Sequence, residues 1–189
     1  MSRPRIIAFY LPQYYPTPIN DKWYGEGFTE WTSVRNAKPL FHGHDQPRVP
    51  ADLGYYDLRD ASVREAQAEL ALEAGIEGFC YYHYWFSQDH QELTIPFDEV
   101  IRLKKPDFPF CLCWANQSWY SKFWSDAADC EPKLVAEQTY DDPAGNEKHF
   151  YSLLEAFRDP RYIRVEGKTL FMSPMKSSEA PSWRRFFQF

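Results

Sequence analysis

This chain has no long hydrophobic run, no excess of positive charge and little glycine. A membrane-spanning helix needs about 18 or more consecutive apolar residues. The most apolar stretch near the N-terminus, Ile6 to Leu11, falls far short of that and is also too short for a secretory h-region. The expectation is a cytoplasmic protein without a transmembrane segment. A formal net charge of -6 argues against a nucleic-acid partner, which would call for a basic face. Neither GxGxxG nor GxxxxGK[ST] occurs to cradle a dinucleotide or triphosphate, so no cofactor is expected. No CxxC pair supports a metal site. Cys80, Cys111, Cys113 and Cys130 read as small hydrophobes in a reducing compartment. His42, His44 and Asp45 read as polar turn residues rather than as metal ligands.

Aromatic residues, by contrast, are abundant: 19% of the 189 residues, alongside 15 prolines. They crowd most densely in GFCYYHYWF, from residue 78. A core needs apolar bulk, but tyrosine hydroxyls, an imidazole and an indole N–H each want a hydrogen-bond partner when buried. The run therefore suggests a wet pocket gripping something half-apolar.

Hydrophobic periodicity predicts a strand over 5–11, which Pro12 stops, and then a long loop over 12–60. Loops of that length inside compact domains are usually functional. A helix follows over 62–74, started by a Ser62/Glu65 capping box and ended by Gly75, with Val63, Ala66, Leu70, Ala71 and Ala74 on one face. A second strand covers GIEGFCYYHYW. A helix over 96–105 places Phe97, Val100 and Ile101 together, and a third strand covers 108–116. A second long loop runs to about residue 142. A helix over 146–158 carries Phe150, Leu153, Leu154 and Phe157, a fourth strand covers 168–173, and SWRRFFQF could begin a further helix. Strands alternating with helices imply an α/β fold with a parallel sheet. Length and the absence of any linker favour one domain over 1–189.

In parallel α/β folds ligands sit beyond the carboxyl ends of the strands. Here those ends carry Tyr10-Leu-Pro-Gln-Tyr-Tyr, Tyr82-His-Tyr-Trp and Trp114-Ala-Asn-Gln-Ser-Trp. A sugar ring has an apolar C–H face for Trp and Tyr and a hydroxyl edge for His, Asn, Gln and carboxylates. A glycan or activated-sugar substrate is therefore expected. The candidate substrate-binding residues are Tyr14, Trp31, Tyr82, His83, Tyr84, Trp85, Trp114, Asn116, Gln117 and Trp119. The catalytic assignment stays open between Glu30 and His83; Glu26 and Asp21 are weaker acids in the same region. Alternation sends neighbours along a strand to opposite faces, so only one parity of the 82–85 run can reach a pocket, and sequence alone leaves open which. Arg161 and Arg164 read as flanking a strand rather than binding phosphate.

Longer motifs carry a resemblance. IAFYLPQYYPTPINDKWYGEGFTEW, KPLFHGHDQPRVPADLGYYDLRD, GIEGFCYYHYWF, PFDEV, KPDFPFCLCWAN and DPRYIRVEGKTLF resemble the WbsX-type glycosyltransferases, also described as proteins with a glycoside hydrolase family 99-like domain. The resemblance covers residues 5 to 171. It implies a (β/α)8 barrel, of which this chain would hold the first half, and action on glycans, commonly in building bacterial surface polysaccharide such as lipopolysaccharide O-antigen. The related hydrolases are endo-acting α-mannosidases.

Three departures stand out. A full barrel takes about 250 residues, so the later strands and their acidic motif are missing. The family usually reads Trp-Ala-Asn-Glu after its third strand, whereas here Gln117 replaces the carboxylate, and an amide cannot ionise. After Phe171, SPMKSSEAPSWRRFFQF looks unlike the family. The expectation is a truncated or frame-shifted product: a transferase fragment, a fragment of an α-mannoside hydrolase, or a catalytically inactive piece. The open edges of a half barrel should favour a homodimer or aggregation.

Overall fold

The computed structural model describes residues 4–121, 131–140 and 143–173. Four strands lie side by side in chain order: β1 (Ile7–Tyr10), β2 (Gly78–Ser87), β4 (Phe110–Trp114) and β9 (Phe171–Met172). Each neighbouring pair is parallel. Helices α3 (Ala61–Glu73), α4 (Ile95–Leu103), α5 (Pro143–Ser152) and α6 (Leu154–Arg158) fill the crossovers between them. The short strand β3 (His90–Glu92) folds back on β2 as an antiparallel hairpin. Parallel strands laid down in sequential order without reversal are the arrangement of the opening units of a (β/α) barrel, and the expected fold class holds.

The register decides which side chains share a face. Tyr10 lies opposite Tyr81, Phe79 opposite Phe110 and His83 opposite Trp114. These side chains look towards the helices. Tyr81 packs on Phe97 of α4 at 5.3 Å, and the Tyr10 hydroxyl donates to Gln67 of α3 at 2.5 Å. On the other face stand Phe9, Cys80, Tyr82, Cys111 and Cys113; Phe9 and Tyr82 stack at 5.4 Å. Phe9 remains 56% exposed, so this face is open to solvent at its β1 edge. Cys80, Cys111 and Cys113 are buried and free, with Cys80 Sγ 3.8 Å from Met172 Sδ. Cys130 lies outside the described residues.

Several expected elements shift. Residues 12–60 are not loop throughout: they hold α1 (Pro18–Tyr24) and α2 (Glu30–Asn36). Thr17 caps α1 by accepting from the Asn20 amide, with Pro18 in the first turn; at the start of α2 the Thr29 amide donates to Thr32 Oγ1 at 3.2 Å and the Thr32 amide to the Thr29 carbonyl at 2.9 Å. These short helices lack the periodic apolar stripe by which longer helices are recognised. Helix α3 is capped by Asp60, whose carboxylate accepts from the Ser62 amide, rather than by Ser62 itself. Its buried residues are Arg64, Ala68 and Ala71, and the expected Leu70 points outward. Small side chains let α3 lie close against β1 and β2, while Arg64 spends its charge inward. Gly75 does end the helix as expected, at φ +76°, a conformation glycine adopts without a Cβ penalty.

The helix expected over 146–158 breaks at Leu153 into α5 and α6, and α5 buries Asn146 and His149 instead of Phe150. Beside Phe110, residues 161–163 run parallel to β4. The hairpin of β7 (Arg164–Val165) and β8 (Lys168–Thr169) then loops out before β9 begins. Arg161 braces this region: it holds Asp159 at 2.8 Å, donates to the Pro106 and Val100 carbonyls, and lies over the Phe110 ring. That is the structural role expected of it. The segment SWRRFFQF lies outside the described residues.

Gly78 opens β2 beside the backbone that leads into β4. A Cβ there would meet the Pro109 carbonyl oxygen at 2.4 Å and Ile163 Cδ1 at 2.9 Å. Backbone cannot yield as a flexible side chain can, so Gly78→Ala should destabilise the fold by about 2–3 kcal/mol, with the cost read as a lowered urea midpoint. An unchanged midpoint would show that β2 and β4 can move apart freely.

Candidate functional site

The long β1–α3 connection folds its aromatic residues together. Tyr14 packs on Trp31 at 4.8 Å and on Tyr56 at 5.3 Å, and Trp31 meets Tyr56 edge-on at 5.0 Å. The Trp31 indole donates to the Tyr56 carbonyl at 2.9 Å, which ties α2 to the 55–58 segment. Arg35 lies over the Tyr55 ring at 4.0 Å and closes the outer side. A cavity of about 300 Å³ adjoins this cluster, lined by Tyr10, Tyr14, Tyr56, Leu58 and Gln67 among others.

Glu30 stands at the first turn of α2, beside this cluster. Helix polarity there favours a charged carboxylate, but burial wins and pushes its pKa up to about 7. Its Oε2 is buried without a hydrogen-bond partner among the described residues. Burial pushes the pKa values of Tyr14, Tyr56 and Tyr84 up, and the negative charge of Glu30 adds a smaller push to each. One half-protonated carboxyl thus stands amid three phenols, able to donate or accept a proton near neutrality.

Strand β2 turns its even-numbered side chains to the open side, whereas Tyr10, Gln67 and Phe79 set the cavity on the helix side of β1. The Tyr84 hydroxyl accepts from Gln13 at 3.3 Å, and its ring meets Trp119 at 4.9 Å. Trp119 belongs to β5 (Trp119–Tyr120), which pairs with β6 (Leu134–Ala136), and it also packs on Phe86. Tyr82 follows one step down the strand, 6.3 Å from Tyr84 between ring centres.

The odd-numbered side chains go elsewhere. His83 faces the helices, and its Nε2 lies 2.8 Å from Nε2 of His149 on α5. Trp85 stacks on His149 at 4.4 Å, and Trp114 meets the same imidazole edge-on at 4.8 Å. The Trp114 indole donates to the Trp85 carbonyl at 2.9 Å. Burial lowers the pKa of His83 to about 4 and that of His149 well below its ordinary value, with the neighbouring His83 adding to the second shift. Both rings are therefore neutral at pH 7, one donating and one accepting. His83 also opens onto a cleft of about 430 Å³ between α4 and the α5–α6 pair, walled by Phe97, Ile101, Leu153 and Ala156. Asn116 is buried and exchanges hydrogen bonds with the Tyr140 hydroxyl at 3.4 and 2.9 Å. Gln117 is exposed beyond it.

The single hollow expected at three strand ends is divided. Tyr84 and Trp119 stand together on the open side with Tyr82 next to them, and Gln13 and the charge of Glu30 link them to the Tyr14–Trp31–Tyr56 cluster beyond β1. His83, Trp85 and Trp114 form a second cluster on the helix side, and Asn116 joins it through Tyr140, whose ring is 6.1 Å from Trp114. The division follows from side-chain alternation. Sequence reasoning missed Tyr56, Gln13, Tyr140 and His149. His149 could have been found from its helical spacing with Asn146 and Leu153; Tyr56 carries no local signal beyond its place in a Gly-Tyr-Tyr loop. In the 42–45 turn, His44 Nδ1 accepts from the Leu40 amide and its ring stacks on Phe41, while Asp45 faces Arg48.

Comparison with known proteins gives three findings. The sequence model of the family described as Glycosyltransferase WbsX matches residues 6–189. The match includes the segment after Phe171, which overturns the expectation that this stretch departs from the family. Two curated relatives, each named uncharacterized protein WxcX, come from Xanthomonas campestris pv. campestris strains B100 and ATCC 33913. Each is 39% identical over 187 residues, covering 96% of this chain and 26% of the relative. The chain thus spans about a quarter of the length of these relatives. Two solved structures of the GH99 endo-alpha-mannosidase from Bacteroides thetaiotaomicron, one with bis-tris-propane, align at 15% identity with TM-scores of 0.46 and 0.47. They cover 89% of this chain and 41% and 44% of theirs.

Glu30 gives a pH signature. Its folded pKa of about 7 lies above the unfolded value of 4.5, so the folded state binds the proton more tightly. Stability is therefore highest below about pH 4.5 as far as this group is concerned, and falls as pH rises to about 7. After allowance for partial solvent exposure the loss should be about 1–2 kcal/mol. Urea titrations between pH 5 and 8 should show this slope in the native chain and its loss in Glu30→Gln. A parallel slope in both proteins would place the titration elsewhere.

Proposed function

Because this chain belongs to the WbsX glycosyltransferase family, we propose that its strand ends supply part of the saccharide pocket of a transferase that builds bacterial surface polysaccharide, with lipopolysaccharide O-antigen as the product class. One observation carries the reading: a half-buried carboxyl group, Glu30, poised near neutrality with one buried, unpartnered oxygen, near Tyr14, Tyr56 and Tyr84. In this reading Trp31, Tyr84 and Trp119 cover the C–H face of a sugar ring. Gln13 and Glu30 take its hydroxyls, and Tyr82 extends the platform. Glu30 is the candidate catalytic group. His83, Trp85, Trp114 and Asn116 act one layer behind, as the frame that holds the ends of β2 and β4. Residues 1–189 form one incomplete barrel domain, and the reaction takes place in the cytoplasm on an activated sugar.

A second reading, hydrolysis of an α-linked mannoside, is favoured by the same carboxyl group. A glycoside hydrolase needs a carboxylic acid with a raised pKa as proton donor, together with a second carboxyl group. Gln117 stands where the family carries an acid and cannot fill that second role.

Binding is the first readout for the 189-residue chain. Tryptophan fluorescence should report saturable binding of a nucleotide sugar or an oligomannoside, weakened about tenfold by Trp119→Ala. Transfer from nucleotide-sugar donors, run beside release from oligomannosides, separates the two chemistries; Glu30→Gln should lower whichever occurs by about 10²-fold or more. Absence of sugar binding, transfer and release together would overturn both readings.

Self-association belongs to the same proposal. The open face with Phe9 and the outer strands β1 and β9 invite pairing with a second copy. Light scattering should give a dimer or larger species, and a stable monomer would remove this part.

A further inference from the structure

Arg64 is buried to 1% exposure. Its Nη1 donates to the Leu58 carbonyl at 2.6 Å. Its Nε and Nη2 are buried with no partner among the described residues. A guanidinium cannot escape this by losing its proton, and an unpaired buried charge is among the costliest features a fold can carry. The carboxylates whose titration feels Arg64 are committed elsewhere. Asp60 caps α3 through the Ser62 amide and hydroxyl, and Glu99 forms a two-point pair with Arg102 at 2.8 and 2.7 Å. Two phenols also feel its charge from the helix-facing side of the sheet, Tyr10 and Tyr81. The Tyr10 hydroxyl already donates to Gln67.

We propose that the two unpartnered nitrogens of Arg64 hold a small monovalent anion of the chloride class in the interior beside α3. The chemistry is that of the site: two free N–H donors and a full positive charge, with the neighbouring Asp60 and Glu99 carboxylates already committed. The anion neutralises the guanidinium and leaves Nη1 fixed on Leu58. Leu58 ends the segment that carries Tyr55 and Tyr56, so the bound ion also steadies the aromatic cluster from behind. The inference concerns the interior of the fold and does not depend on the saccharide reading.

Two measurements on the full chain test it. Thermal unfolding at constant ionic strength, with gluconate replaced stepwise by chloride, should raise Tm saturably by about 5 °C, as expected of a ligand that binds only the folded state. Arg64→Met should abolish the chloride dependence. Crystals of the native chain soaked in bromide should show an anomalous peak within hydrogen-bond distance of Nε and Nη2, which keeps the test decisive if Arg64→Met does not fold. Equal Tm values in gluconate and chloride, with water rather than bromide beside the guanidinium, would overturn the proposal.

Discussion

Strict alternation along β2, locked by parallel ladders on both sides, is the constraint from which the rest of this molecule follows. Ten residues from Gly78 to Ser87 run as one strand, and the ladders to β1 and β4 leave no freedom to rotate it. A slip of one residue would exchange the two faces completely. Tyr82 and Tyr84 would then meet the helices, and His83 would face solvent. The close approach at Gly78 pins the register at one end, and the Trp114–Trp85 bond pins it at the other.

Two clusters of polar aromatics result, with different physics. On the helix side, imidazole and indole rings stack tightly and satisfy one another, and burial keeps both histidines neutral. On the open side, the phenols and the Glu30 carboxyl are less complete: polar atoms converge with one carboxylate oxygen left over. Packed, satisfied networks rigidify a fold. Incomplete ones are where a ligand has something to supply. Glu30 belongs to the incomplete cluster and His83 to the satisfied one.

Much of this could be read from residues alone, and the limits have physical causes. The order of strands and helices was legible because β1, β2 and β4 are short apolar runs and α3 and α4 have clear stops. The crowding of aromatics at strand ends was legible too. The parity of Tyr82 to Trp85 was not, because β2 is buried on both sides over most of its length and lacks the polar alternation that would mark a face. Helix α3 misled because its inward face is alanine and arginine, whereas its leucines point out. The break at Leu153 and the inward turn of His149 answer to Trp85 and Trp114, which lie far away in sequence. Helices α1 and α2 announce themselves only by their threonine caps.

The indole of Trp114 bonded to the Trp85 carbonyl joins two neighbouring strands at the level where their loops depart. A staple at that height separates frame from superstructure. The tie holds the two strand ends at a fixed spacing, so the segments that leave β2 and β4 start from anchored positions. A scaffold built this way allows specificity to evolve in its loops while the barrel wall stays the same.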